Sequence, residues 1–385
     1  MKLWRGMHST TRGRIVELDF VRGIAIIMVM GFHFHSVRTG IPAISIIEYP
    51  LKSFGAEGVN LFFTLSGFLI GGLLLRQYAQ TGSINARRFI VRRIFKIWPA
   101  YYVLILFHAI VRRHPLDSFL WQNLTNLQNY YGSSIAQTWS LAIEEHFYLV
   151  LPAVLLLVAR CRLGANALIG LFLTLCVAVL AARSIAVANG ELVEAFAYTQ
   201  YRIDSLLFGV VLAAIYWMKP EVYRKVAAQR GMLVAAVLGL VMWLVFATPH
   251  VALDESIGFT VQAIGFCAAL VLVLEHSKRV NSWLIYRAVA WVGLYSYGIY
   301  LWHSLALAPG DWLIHEGTTH GLAPLAVWAL ALGAQFAIAI VLGYLMTRAV
   351  EYPFLRLREA WFPDRRVETQ PPPGKSVTAV GGQLS

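Results

Sequence analysis

Residues 18 to 35 read LDFVRGIAIIMVMGFHFH, an apolar run with Asp19 and Arg22 near one end and His33 and His35 at the other. Hydrocarbon excludes such groups unless they face a partner or a cavity, so their spacing matters. At 100° per residue, Arg22 and His33 return to within about 20° of one helical face, roughly 16 Å apart along the axis. Asp19 joins that stripe, whereas His35 lies about 200° round from His33 and points elsewhere. An imidazole titrating near neutrality can move a proton, and a guanidinium can hold an anion. Alone, the pair fits an interfacial anchor and a satisfied interior histidine equally well.

Other stretches carry polar groups in comparable settings. GVNLFFTLSGFLIGGLLLR sets Asn60, Thr64 and Ser66 among Gly67, Gly71 and Gly72, small residues that let helices pack closely. RRFIVRRIFKIWPAYY places Arg92, Arg93 and Lys96 on a predicted helical turn, where cations act as membrane anchors or as phosphate ligands. TWSLAIEEHFYLVLP puts Glu144 and Glu145 inside an apolar run, about 100° apart, with Ser140 and Tyr148 one turn either side of Glu144. A buried carboxylate there either clamps two helices or fixes the tautomer and charge of a histidine. YRIDSLLFG brings Arg202 and Asp204, and YSYGIYLWH brings His303, to the outer ends of two further runs. Substrate contact, capping and an aromatic belt all fit those positions.

Such residues need a scaffold, and composition specifies one. The 385 residues are 58% hydrophobic and 14% charged, with mean hydropathy +0.62, too apolar for a soluble core to hide. Ten apolar windows of membrane-spanning length recur at about 18–37, 57–76, 97–112, 138–159, 165–184, 204–218, 231–247, 257–275, 289–305 and 323–348. The expected fold is an all-α polytopic helix bundle of about ten transmembrane helices. With both termini cytoplasmic, 26 of the 32 Lys and Arg residues fall inside, leaving Arg38, Lys52, Arg112, Arg113, Arg183 and Arg202 outside. The net charge of +12 therefore reports topology and attraction to anionic head groups, with no nucleic-acid partner expected. Cys161, Cys176 and Cys267 lack CxxC or metal-ligand spacing and read as packing residues. Residues 1–17 form a basic cytoplasmic leader, 18–358 the membrane domain, and 359–385 a disordered cytoplasmic tail. The outer connections at about 38–56, 113–137, 185–203 and 306–322 read as loops.

Taken in order, LDFVRGIAIIMVMGFHFH, GVNLFFTLSGFLI, RRIFKIWPAYY, TWSLAIEEHFYLVLP, YRIDSLLFG, YSYGIYLWH and EYPFLRL closely resemble the integral-membrane acyltransferase-3 family. One motif would be weak; seven in order across residues 18 to 355 are specific. The resemblance implies a membrane O-acyltransferase that moves an acyl group, commonly acetyl from acetyl-CoA, to a carbohydrate hydroxyl. Envelope polysaccharide, lipopolysaccharide, glycolipid and small glycosides are the acceptors it implies, in a bacterial inner or plasma membrane, with no metal. The family's Arg-x10-His pattern falls on Arg22 and His33. Its basic RxxR pattern falls on Arg93 and Lys96, so a lysine replaces the second arginine and a bidentate fork is lost. Its glutamate pair falls on Glu144 and Glu145, with His146 where glutamine is common. The esterase-like extension of longer members is not expected after the last helix.

The resulting expectation is direct acyl transfer. Arg22, Arg93 and Lys96 hold the phosphates of acetyl-CoA or another acyl-CoA, and His33 takes the acceptor proton as general base. Glu144 or Glu145 orients that imidazole, while Ser66 or Tyr148 donates to the oxyanion. Asp204 and His303 are further substrate contacts. An acyl-His33 intermediate is an equally open route. The competing reading is a polytopic transporter, which also keeps His and Glu in mid-membrane but needs no basic cluster aligned with the histidine.

Overall fold

The computed structural model describes residues 15–247, 250–277 and 280–363, and every regular element among them is a helix. Most of the expected leader, and the expected tail from residue 364 onward, lie outside the described residues.

A helix falls on each of the ten apolar windows. The first, α1 (Val16–His33), is followed by α2 (Pro42–Phe54) and α3 (Gly58–Thr81), which a single 3-10 turn joins. Next come α4 (Ala86–Ile110), α5 (Trp139–Arg160), α6 (Ala165–Ala188) and α7 (Thr199–Met218). The short α8 (Pro220–Ala228) meets α9 (Arg230–Phe246) at 74°, and α10 (Phe259–His276) completes that half. The ninth window is split at Tyr295 into α11 (Leu284–Leu294) and α12 (Ser296–Trp302). The chain then forms α13 (Leu307–Thr319), α14 (Pro324–Met346) and α15 (Tyr352–Trp361).

Six of the described helical stretches are long and apolar enough to cross a bilayer, seven if the bent α8–α9 pair is one span. The others fall short for visible reasons. α1 carries Glu17, Asp19 and Arg22, α4 opens on a basic stretch, and α11 and α12 are two pieces of one window. The chain is nonetheless a multi-pass helical membrane protein. Leu157, Val177 and Leu238 stay exposed on outward faces, where lipid tails are as apolar as leucine itself.

Glycines decide which helices meet. A methyl group at Gly67 would lie 1.9 Å from the Leu206 carbonyl oxygen, and one at Gly209 would lie 2.1 Å from that of Thr64. The backbones of α3 and α7 thus touch, which only glycine allows. Gly23 of α1 and Gly293 of α11 form the same kind of contact.

Three expectations need correction. The connections at 38–56, 185–203 and 306–322 are largely helical: α2 and α13 fill the first and last, and the end of α6, a short helix Leu192–Ala197 and the start of α7 fill the second. Residues 359–361, assigned above to the tail, continue α15, and both Trp361 and Phe362 pack on Phe95 of α4. Finally, α1 ends at His33: Phe34 is extended at φ −73° and ψ 139°. His35 therefore does point away, but because the helix has ended, with no helical rotation involved.

Candidate active site

A cavity of about 350 Å³ opens among α1, α3, α4, α5 and α12. Seven side chains singled out by type and spacing line it: Arg22, Ser66, Arg93, Lys96, Ser140, Glu144 and Tyr148. Its α3 wall runs from Leu73 to Val59, which at 1.5 Å per residue is about 21 Å of helix. The cavity is therefore long and narrow, within the volume range of small-molecule sites.

Three cations face it from two helices. Arg22 is bonded to the buried Asp19 at 2.8 Å, which fixes the guanidinium from below. Lys96 pairs with Glu351, a buried carboxylate that Thr347 Oγ1 also holds at 2.8 Å. Arg93 is different: its Nε is buried with no hydrogen-bond partner. A buried donor left unmade costs about 1–3 kcal/mol, so Arg93 is held less completely by the protein than its two neighbours. An arginine fork and two further cations in one cavity match phosphate oxygens.

Beside them runs a hydroxyl relay. Ser66 Oγ lies 2.9 Å from the Tyr148 hydroxyl, which donates to Glu144 Oε2 at 2.9 Å. The order lets a proton on Ser66 or Tyr148 pass toward the carboxylate, or lets Ser66 turn its hydrogen to a developing oxyanion while Tyr148 stays on Glu144. Glu145 does not join this group. Its Oε2 accepts from the Trp98 indole at 3.1 Å, and it lines a smaller cavity of about 80 Å³ on the far side of Arg93 and Tyr148.

His33 lies outside the lining of the main cavity. Its Nδ1 sits 2.8 Å from the Val29 carbonyl oxygen, which can only accept, so Nδ1 carries the hydrogen and Nε2 has the free lone pair. The backbone therefore orients the ring, a task the sequence assigned to Glu144 or Glu145. The His303 ring is 5.0 Å away, and its own Nδ1 donates to the Tyr300 carbonyl at 2.7 Å. Tyr300 in turn lines the cavity. One layer of rings thus separates His33 from the cavity's aromatic end. His35 stands apart, exposed and 2.6 Å from Asp311.

A family profile described as an acyltransferase domain matches residues 15–344. The chain belongs to this acyltransferase family. Among curated relatives, the peptidoglycan O-acetyltransferase OatA of Listeria monocytogenes is 26% identical over 335 residues, covering 77% of this chain and 50% of its own. A Bacillus subtilis protein provisionally named peptidoglycan O-acetyltransferase YrhL is 27% identical over 329 residues, 77% of this chain and 49% of its own. The chain spans about half the length of the curated relatives it matches. No solved structure matches.

In this acyltransferase-family chain, Asp204 is not part of the cavity. It is fully buried, bonded to Arg183 at 2.9 Å and to Thr260 Oγ1 at 2.8 Å, so both carboxylate oxygens are taken. His303 reaches the site only through His33 and Tyr300. Sequence reasoning passed over Tyr297, Tyr300 and Glu351. The first two sit in YSYGIYLWH at a spacing of three, one helical face, and the glutamate opens EYPFLRL. Among the described residues, no three His, Cys, Asp or Glu side chains are grouped to hold a metal ion.

Proposed function

We propose that the chain is a membrane O-acyltransferase that uses an acyl-CoA, acetyl-CoA first among them, to acylate a carbohydrate hydroxyl of the cell envelope. The observation that carries this reading is a single cavity in which Arg22, Arg93 and Lys96 meet the Ser66–Tyr148–Glu144 relay, with the free Nε2 of His33 behind its aromatic end. The similarity to peptidoglycan O-acetyltransferases supports a polysaccharide as the acceptor class.

Arg93, Arg22 and Lys96, which line one cavity, bind the phosphates of the donor. The acceptor arrives from the His33 side. His33 Nε2 takes the hydroxyl proton as the oxygen attacks the thioester carbonyl. The new C–O bond forms, the C–S bond breaks, and the proton passes from the imidazolium to the departing thiolate. Ser66 turns its hydroxyl hydrogen from Tyr148 to the oxyanion, while the Tyr148 hydrogen stays on Glu144 and holds the Tyr148 oxygen beside Ser66. The bundle has ten spans with both termini cytoplasmic in the cell membrane, so the basic end of the cavity faces the cytoplasmic pool of donor.

Reconstituted protein supplied with labelled acetyl-CoA and an envelope glycan extract tests the reading. Label should appear on glycan, vanish with His33→Ala and persist with His35→Ala. Full transfer by the His33 variant would end the general-base assignment, and no transfer by the parent protein would end the enzyme reading.

A further inference from the structure

The donor reading leaves a question of passage, since the cavity stops short of His33. Four residues of α3, one turn or about 6 Å, separate Ser66 from Phe62. At that level the wall turns from polar to aromatic. The Phe62 and Tyr300 rings meet edge to face at 6.3 Å, the Tyr300 and His303 rings follow at 5.8 Å, and His33 comes next at 5.0 Å. Lys96, by contrast, stands 6.0 Å from the ring of Tyr297, one turn before Tyr300. The phosphate-binding cations are thus at one level and the partition toward His33 is at the next.

The three rings at this end are not equally fixed. Tyr300 is pinned through its hydroxyl, which is 2.6 Å from Ser140 Oγ and donates to the Gln137 carbonyl at 2.9 Å. Phe63 is almost completely buried, wedged between Trp139 and the guanidinium of Arg202. Phe62 is only half-buried, and its contacts are apolar. A phenyl ring without polar ties can turn at modest cost, whereas moving Tyr300 breaks two hydrogen bonds.

Resting on the acyl-CoA reading, we propose that Phe62 is the acyl-size determinant of this protein. With its carbonyl at Ser66, the acyl group of a donor anchored by Arg93 and Lys96 extends toward Phe62, against a fixed Tyr300. The turn between Ser66 and Phe62 gives room for a short acyl group, which places acetyl inside the limit and a six-carbon chain outside it.

The experiment measures two ratios, hexanoyl to acetyl, in the full-length membrane protein. One is the ratio of transfer rates to glycan; the other is the ratio of Kd values for the two acyl-CoAs by calorimetry in a His33→Ala background. One methylene in an apolar pocket is worth roughly 10- to 200-fold in discrimination. Phe62→Ala should therefore improve hexanoyl relative to acetyl by at least about tenfold in both ratios, and Phe62→Trp should move both the other way. Phe62→Leu gives an intermediate step if the alanine variant does not fold. Ratios that stay within about twofold of the parent in every folded variant overturn the assignment while leaving acyl-CoA as donor. A parent protein that neither binds nor transfers from either acyl-CoA overturns both.

Discussion

Two regions of this bundle bury arginine, and they do so to opposite ends. Around Arg183 the polar groups close on themselves: its guanidinium donates to Ser256 O, Tyr201 O, Asp204 and Thr260, so each of its three nitrogens has a partner. Around Arg93 they do not close, because Nε is buried without a partner while the side chain lines a cavity. Burial of charge therefore does not mark a site in this protein; a buried donor left unpaired on a side chain that lines a cavity does. Arg202 shows how the two conditions separate. Its Nε and Nη1 are also without partners, yet its guanidinium is walled in by aromatic rings, with Phe259 only 3.3 Å below, and it lines neither of the two cavities described above.

The contrast can be broken most forcefully at His33 and Asp204. Removing the proposed base should lower kcat by about 10²- to 10⁴-fold while leaving thermal unfolding and acyl-CoA binding near the parent values. Asp204→Ala should do the reverse. It strands a fully buried Arg183, which costs roughly 3–5 kcal/mol of stability, and unfolding in detergent should report that loss directly. If Asp204→Ala unfolds normally but abolishes transfer, the closed network belongs to the site after all and the distinction fails.

Much of this arrangement was legible beforehand, but unevenly. The apolar windows mark helices because a chain in hydrocarbon must satisfy its backbone within each segment. Arg22, Ser66, Arg93, Lys96, Glu144 and Tyr148 could be chosen because polar groups inside such runs need a reason. Partners across the bundle were not visible. Lys96 and Glu351 are 255 positions apart, and Arg183, counted as an outer cation, proves to be the internal partner of Asp204. The helix α2 was also hidden. Its 13 residues are too short to span and include Glu48, Pro50 and Lys52, so local pattern reads as a loop. The end of α1 at His33 depends on contacts made by the following strand of chain, and no periodicity argument reaches that.

Next in size comes Arg93. Hydrogen bonds to charged groups contribute about 1.5–3 kcal/mol, so Arg93→Ala should weaken acyl-CoA binding by roughly 10- to 150-fold with little change in unfolding. Arg93→Lys should recover only part of that, because a point charge does not replace a fork. The opposite pattern, normal binding with a large stability loss, would move Arg93 into the same class as Arg183.

The smallest effect tests the chain just beyond the proposed base. His35 is tied to α14 through its backbone: its N–H donates to Gln335 Oε1 at 3.0 Å, and its carbonyl accepts from Gln335 Nε2 at 2.8 Å. The imidazole itself only reaches Asp311 at the surface. Gln335 is fully buried, so Gln335→Ala leaves two backbone groups without partners and should cost about 1–3 kcal/mol. It should also lower kcat, since the turn that follows His33 loses its anchor. His35→Ala keeps both backbone bonds and should change stability by no more than about 0.5 kcal/mol, with transfer within about twofold of the parent. Equal damage from the two substitutions would mean that the His35 imidazole has a part in the reaction, and the separation of the two histidines would have to be redrawn.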